Sequence, residues 1–434
     1  MIKKYFSPIS FLFSLLLLII VFYRSEIQWD GNLRDHYSKY YLFSFFLISF
    51  SIFSFFLNEN VKLYLSIITI SVLVSLYLFE GYLNFKSTNL SKSKIYEKFE
   101  RETGKKFDKK TFIEAFTDGL QNNPKLISPT LPFMFLNDEN LKIFPLSGQS
   151  NSENLYCNEN GFYSEFSTDR YGFNNPDEVW LTKEVEYVII GDSYAYGNCV
   201  NRPDDISSVI REITRKNSIN LGQSGSGPLI ELAILKEYLP KNVGKVVWLY
   251  YEGNDLGDLK VELKNAILKK YLLDKNFNQK LIDKQNLINS LVKNKFIENY
   301  NNREKKTSLI SYLRKFIVLT NLRRTFIPVG FKVPSEFKEI MSLAKEFCDK
   351  NNTELIFVYI PEFSRLKNEN FDNKNYNKIK SIIAGLNIDF IDLNKILITE
   401  RNDPKRFWPL IGGGAHFNDK GYFEVAKIIL NFKN

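Results

Sequence analysis

Histidine is almost missing from this chain: His36 and His416 are the only two among 434 residues. Chemistry that needs an imidazole outside the apolar N-terminal region must therefore use His416. Cysteine is nearly as scarce. Cys157, Cys199 and Cys348 form no CxxC pair and offer no metal-ligand spacing, so no metal is expected. No Gly-rich phosphate fingerprint follows the first strand-like run. That weakens a reading as a small membrane receptor with a nucleotide-binding domain, and no cofactor is expected. The net charge of +9 would suit an anionic lipid or an acidic polymer. Lys and Asn are spread throughout, however, with no basic stripe interleaved with aromatics, so nucleic acid is not an expected partner.

What the chain does have is an apolar start. Three runs, Tyr5–Tyr23, Tyr40–Leu57 and Leu63–Phe79, contain no internal charge. Each is about 17–19 residues, near the length that crosses roughly 30 Å of hydrocarbon as a helix. Tyr residues mark several of their ends, as at membrane interfaces. The first run lacks a small-x-small cleavage site, so three spans over 1–85 are expected rather than a signal peptide. Lys3 and Lys4 favour a cytoplasmic N-terminus, which places the rest outside after three crossings. Lys86, Lys92, Lys94, Lys98, Lys105 and Lys106 argue the other way.

Residues 86–180 read as a connector, with an amphipathic helix from Ile95 and Pro- and Asn-rich sequence around Pro124–Pro145. From 181 to 434 the rhythm becomes β-α alternation. Val185–Ile190, Ser218–Leu221, Lys245–Tyr251, Glu354–Ile360 and Asn387–Leu393 are strand-like runs. Helical patterns such as Ile206–Lys216, Leu229–Tyr238, Ser335–Asp349 and Tyr376–Ala384 separate them. Continuous apolar strands between helices predict a parallel sheet covered on both faces. Residues 261–326 break the rhythm and read as a helical insertion, a lid or a partner surface.

Ligands of open parallel sheets bind beyond the carboxyl ends of the strands, and the polar motifs cluster there. Gly191-Asp192-Ser193 follows the first strand; the glycine permits a sharp turn that presents the hydroxyl at a helix start. Asn220-Leu221-Gly222-Gln223-Ser224-Gly225 ends the second, where Gly225 can expose its N–H to an oxyanion. Glu252-Gly253-Asn254-Asp255 ends the third, and Asn254 offers an amide donor. His416, in Gly414-Ala415-His416, precedes a terminal helix at Asp419–Leu430 and is the imidazole able to deprotonate Ser193.

Ser193 in Gly-Asp-Ser, Gly225, Asn254 in Gly-Asn-Asp, and His416 resemble, in order, the four blocks of the SGNH (GDSL) hydrolase superfamily. Thr168–Pro176 is similar to a lead-in of its membrane-associated bacterial members, and Tyr359–Glu362 also resembles the family. The resemblance implies a flavodoxin-like three-layer α/β/α sandwich over 181–434, preceded by transmembrane helices. It implies Ser193 as nucleophile, His416 as base, and an oxyanion hole from the Ser193 and Gly225 N–H groups and the Asn254 amide. In the family an Asp stands three residues before the His; here Gly413 stands there. The orienting acid is then missing, or is replaced by a backbone carbonyl or by another acid such as Asp403.

Cys157 lies in the lead-in and Cys199 just after the nucleophile. One reading pairs them as a disulfide at the active-site edge, which requires an oxidising compartment; the other leaves two thiols. Cys348, on an apolar helix face, reads as an inert core residue. The expected protein is a multi-pass cytoplasmic-membrane protein with an extracytoplasmic ester hydrolase or O-acyltransferase domain. Its expected partners are the membrane and an acylated glycan or glycolipid. The alternative is an SGNH-fold binding or scaffold protein of envelope polysaccharide assembly that has lost catalysis.

Overall fold

The computed structural model describes residues 2–29, 31, 33–85, 91–306, 309–326, 331–367, 373–399, 403–410 and 416–432. The chain divides into two compact units, 1–94 with 305–331 and 95–304 with 332–434. Of the expected connector at 86–180, residues 95–180 fall in the second unit. The expected insertion at 261–326 is likewise shared out, its last two helices going to the first unit.

The first unit is built on helices Ile2–Phe22, Arg34–Ser54 and Glu59–Phe85. Two segments, Lys4–Gln28 and Glu59–Phe85, are long and apolar enough to cross a membrane. Three were expected. The middle helix falls short because its start carries Arg34, Asp35 and Lys39 and serines interrupt its apolar run. Burial in this unit is inverted. Ser14, Ser44, Ser51, Ser54 and Ser66 are buried, while Leu12, Phe46 and Leu78 are exposed. Small residues inside and large apolar ones outside let helices pack closely in an apolar solvent. Helices Leu309–Ile317 and Thr320–Phe326 return to this unit. Buried Glu80 accepts from Asn321 N (3.0 Å) and Leu322 N (2.8 Å), satisfying the start of the last helix.

In the second unit, after helices Ser91–Thr103 and Phe112–Asn122, comes a feature the sequence did not suggest, an antiparallel hairpin of β1 (Glu153–Leu155) and β2 (Glu165–Ser167). A five-stranded all-parallel sheet follows: β3 (Val185–Gly191), β4 (Ser218–Asn220), β5 (Val243–Tyr251), β6 (Glu354–Ile360) and β7 (Asp389–Asp392). These strands fall on the five runs expected from sequence. Their order, β4-β3-β5-β6-β7, reverses at β3, which is the flavodoxin-like arrangement.

One face packs Ile189, Val247, Leu249 and Val358 against helices Ile206–Thr214 and Asp419–Leu430. On the other, Tyr250 meets Phe337 of helix Ser335–Lys350. Helix Pro228–Tyr238, also against the sheet, is almost wholly buried. Burial on both faces explains the continuous apolar strands. A fully buried side chain of this size contributes about 1.5–3 kcal/mol, so the sheet is a rigid platform for the loops at its carboxyl ends.

Candidate active site

β3 ends on Gly191 at φ +147°, where a Cβ would lie 2.5 Å from the Leu249 carbonyl oxygen of β5. Only glycine fits. The next residue, Asp192, is fully buried and caps the turn Ser193–Tyr196 by accepting from Tyr194 N at 3.0 Å. Its second oxygen accepts the Ser193 hydroxyl at 3.0 Å. Burial pushes the Asp192 carboxyl up, against the Tyr194 N–H, the nearby His416 and the Ser193 hydroxyl. The turn is a single one, closed by Gly197 in the left-handed region. Few aligned peptides stand behind Ser193, so the macrodipole expected from sequence is small.

His416 is held by Glu159, a residue that the sequence did not single out. Its backbone N–H donates to Glu159 Oε2 at 2.7 Å, and its Nδ1 lies 3.1 and 3.2 Å from the two carboxylate oxygens. A carboxylate can only accept, so Nδ1 carries a proton, and in the neutral imidazole Nε2 is the nitrogen with the lone pair. That is the tautomer a general base needs. Nε2 lies 3.3 Å from the Asn198 amide nitrogen, which also donates to Ser224 Oγ at 3.0 Å. Tyr156 OH donates to the same Ser224 oxygen at 3.0 Å. The loop after β4 is thereby linked to His416, and the ring of Tyr194, next to Ser193, lies tilted with its centre 5.3 Å from that of the imidazole.

Gly225, in that loop, has φ +73°, and a Cβ there would strike the Phe133 ring at 2.6 Å. The same loop packs on the turn that bears Ser193, with Gln223 N donating to Gly191 O at 3.1 Å. Asn254 follows β5, and its amide donates to Asp258 Oδ2 at 2.7 Å, leaving one N–H for a ligand. Burial raises the Asp258 carboxyl to about 7, with Asp192 adding to the shift. Glu262 is raised to about 8 by burial despite accepting from Gly227, Leu229 and Ile230 N–H groups. Burial also raises Glu231 and Asp255. The carboxyl ends of β3 and β5 thus stand over desolvated acids that resist ionisation.

Cys157 and Cys199 are joined as a disulfide. Cys348 is buried, and burial pushes its thiol up to about 12. Glu159, Cys199 and His416 bring ligand-type atoms within 4.8 Å of one another. The Cys199 sulfur is already bonded, which leaves a carboxylate and an imidazole, too few for a zinc site.

The structure therefore gathers Ser193, Gly225, Asn254 and His416 at the strand ends. Asp403 is not the acid on the imidazole: it stands exposed before the turn Pro404–Phe407, and Glu159 occupies Nδ1 instead. Gly413 lies outside the described residues. Glu159 was findable in principle, because pairing Cys157 with Cys199 carries it toward Ser193. Asn198, Ser224 and Tyr156 gave no signal, being ordinary polar residues of loops.

No protein-family model matches the chain, and no curated protein does. Several solved structures are similar to it over little more than half its length. One is a putative lipolytic protein of the G-D-S-L family from Desulfitobacterium hafniense, at 12% identity and TM-score 0.31, covering 57% of this chain and 98% of that one. Another is the acetyl xylan esterase AlAXEase, at 12% and 0.33, covering 58% and 100%. A third, from Lactobacillus plantarum, has 11% and 0.32, covering 58% and 97%. Likeness this slight says nothing of the chemistry, which has to be read from the geometry around Ser193 and His416.

Proposed function

We propose that the second unit is a serine ester hydrolase or O-acyltransferase working through an acyl-enzyme. The observation that carries this reading is the Glu159–His416 pair, which leaves Nε2 as a base beside the Ser193 turn. In the resting arrangement the Ser193 hydroxyl faces Asp192, and Asn198 covers Nε2. Catalysis begins when the serine side chain turns to Nε2 and displaces the Asn198 amide. Nε2 takes the hydroxyl proton as Oγ attacks the ester carbonyl. The new imidazolium is stabilised by Glu159.

The tetrahedral oxyanion is met by the Ser193 and Gly225 N–H groups and the free N–H of Asn254. One such donor is worth about 3–4 kcal/mol. Asp258 holds that amide in place. Collapse expels the alcohol, which recovers the proton from Nε2, and water or a second hydroxyl then takes the acyl group. Hydrolysis and transfer use the same residues.

The apolar helices support a membrane-anchored protein, and the disulfide supports an oxidising compartment outside the cytoplasm. An acyl ester of an envelope glycan or glycolipid suits that location. The test is acetyl-ester turnover by the full chain in detergent, with fluorophosphonate labelling of Ser193. Ser193→Ala should abolish both; equal turnover in the two proteins overturns the reading. The turned-away hydroxyl and the covered Nε2 favour one rival, a binding or scaffold protein without turnover. It would gain from a chain that retains acylated glycan equally with and without Ser193.

A further inference from the structure

The acid that orients His416 sits in an awkward place. Glu159 is carried by residues 156–164, the irregular loop between β1 and β2, and β1 and β2 are only three residues each. The base of the loop is closed by Tyr156 N to Ser164 O (2.9 Å) and Ser164 N to Cys157 O (3.0 Å). Its outer side is fixed to the preceding segment, through Asn158 Nδ2 to Asp108 O (2.9 Å) and Asp108 N to Gly161 O (2.8 Å). None of these bonds reaches the catalytic loops.

Toward the catalytic loops, besides Tyr156 OH to Ser224 Oγ and the Glu159–His416 contacts themselves, the tip is fastened through Cys199. Cys199 bonds Cys157 through sulfur and accepts from Asn160 Nδ2 through its carbonyl at 3.0 Å. Glu159 lies between those two fastened residues. Cys199 in turn follows Asn198, whose amide meets His416 Nε2 and whose carbonyl accepts from Tyr422 OH at 3.1 Å. One covalent link therefore brings the acid and the base-contacting Asn198 together from segments 42 residues apart. A short carboxylate on an irregular loop loses its aim through small displacements, and orientation of this kind is what second-rank site residues provide.

We propose that the Cys157–Cys199 disulfide is a positioning element of the active site: it holds Glu159 on His416 Nδ1, so full turnover requires the oxidised form. The inference rests on the hydrolase reading above. A dithiol reductant supplies two electrons and two protons. The S–S bond splits into two thiols while the reductant closes its own disulfide. The loop then keeps its outer anchors and loses its covalent one, and Ser193 and His416 are left as a dyad.

The test uses the full chain in detergent micelles and an acetyl ester, with kcat and KM measured from pH 5 to 9. Four proteins are compared: wild type, Glu159→Gln, Cys157→Ser/Cys199→Ser, and the triple variant. Glu159→Gln should lower kcat by about 10⁴-fold, the cost of losing an orienting acid, and the cysteine pair by up to about as much. KM should hold within about twofold, since ground-state binding is untouched. Both should move the pH profile alike, and the triple variant should be no worse than Glu159→Gln alone.

If the cysteine variant fails to fold, wild type reduced in the cold and then reoxidised gives the same answer, as reversible loss of fluorophosphonate labelling. A folded cysteine variant or reduced wild type with unchanged kcat and pH profile overturns the proposal. So does a triple variant whose loss is the product of the two single losses. Turnover that survives Ser193→Ala is a different failure: it overturns the hydrolase reading and this proposal with it.

Discussion

Both units bury polar side chains, yet the serines of the one and the site groups of the other are satisfied in opposite ways, buried Glu80 with its distant partners at Asn321 and Leu322 standing apart in the helical unit. In the helical unit the buried serines bond back to their own helix, as Ser14 to Ser10 O and Ser44 to Tyr40 O. Ser51 and Ser66 do the same to Leu47 and Lys62. In the α/β unit the buried or half-buried polar groups converge from far along the chain. Glu159 and His416 are 257 residues apart, and Tyr422 reaches the Asn198 carbonyl across 224. A polar group satisfied by its own helix needs nothing else from the fold and serves close packing. One satisfied only by distant partners is costly to assemble, and where such groups meet around a serine the cost points to chemistry.

That contrast can be tested from its strongest end. His416→Ala, removing a convergent group at the site, should lower kcat by about 10⁴–10⁶-fold. A melting temperature near wild type would separate this loss from unfolding. Glu262→Ala asks whether convergence always means function. Glu262 is fully buried and accepts from three N–H groups at the start of helix Pro228–Tyr238. Stranding those donors should cost about 2–4 kcal/mol. A variant of unchanged stability would show that this carboxyl is dispensable to the fold.

The buried acids also set a pH dependence. In the unfolded chain Asp258 and Glu262 lose their protons near pH 4, but in the fold near 7 and 8. The fold therefore binds more protons between those limits. Their contribution is full below about pH 4 and is lost as pH rises through about 8. Thermal melts of the detergent-solubilised chain should shift downward from pH 5 to 9, by about 2–4 °C per kcal/mol lost. Asp258→Asn should flatten the curve.

In the helical unit Ser51→Leu should destabilise by about 1–3 kcal/mol, because it forces a large side chain against Ser14 at 3.2 Å. Ser51→Ala should fall within about 0.5 kcal/mol, its partner being the helix's own carbonyl. If Ser51→Ala proved as costly as Glu262→Ala, the distinction between local and convergent satisfaction would collapse.

Much of this was legible beforehand. The five parallel strands were readable because each is a continuous apolar run between helices. The turns bearing Ser193, Gly225 and Asn254 were readable because glycine marks where the backbone must bend or be approached. The middle apolar run was harder: its serines read as part of a span, whereas in the fold they form a buried seam. Asn198 and the hairpin were beyond reach, since three-residue strands and single loop residues leave no periodicity, and Glu159 came within reach only through the pairing of Cys157 with Cys199.

What the sequence determined by itself is the sheet, the strand-end placement of Ser193, Gly225 and Asn254, and the scarcity that leaves His416 as the imidazole outside the apolar N-terminal region. These follow from local patterns and from scarcity. The tertiary structure alone decided which carboxylate orients that imidazole, which tautomer results, and that the Ser193 hydroxyl rests on Asp192. Each depends on atoms brought together by folding from distant segments, and nothing in a neighbouring residue's side chain records so distant a partner.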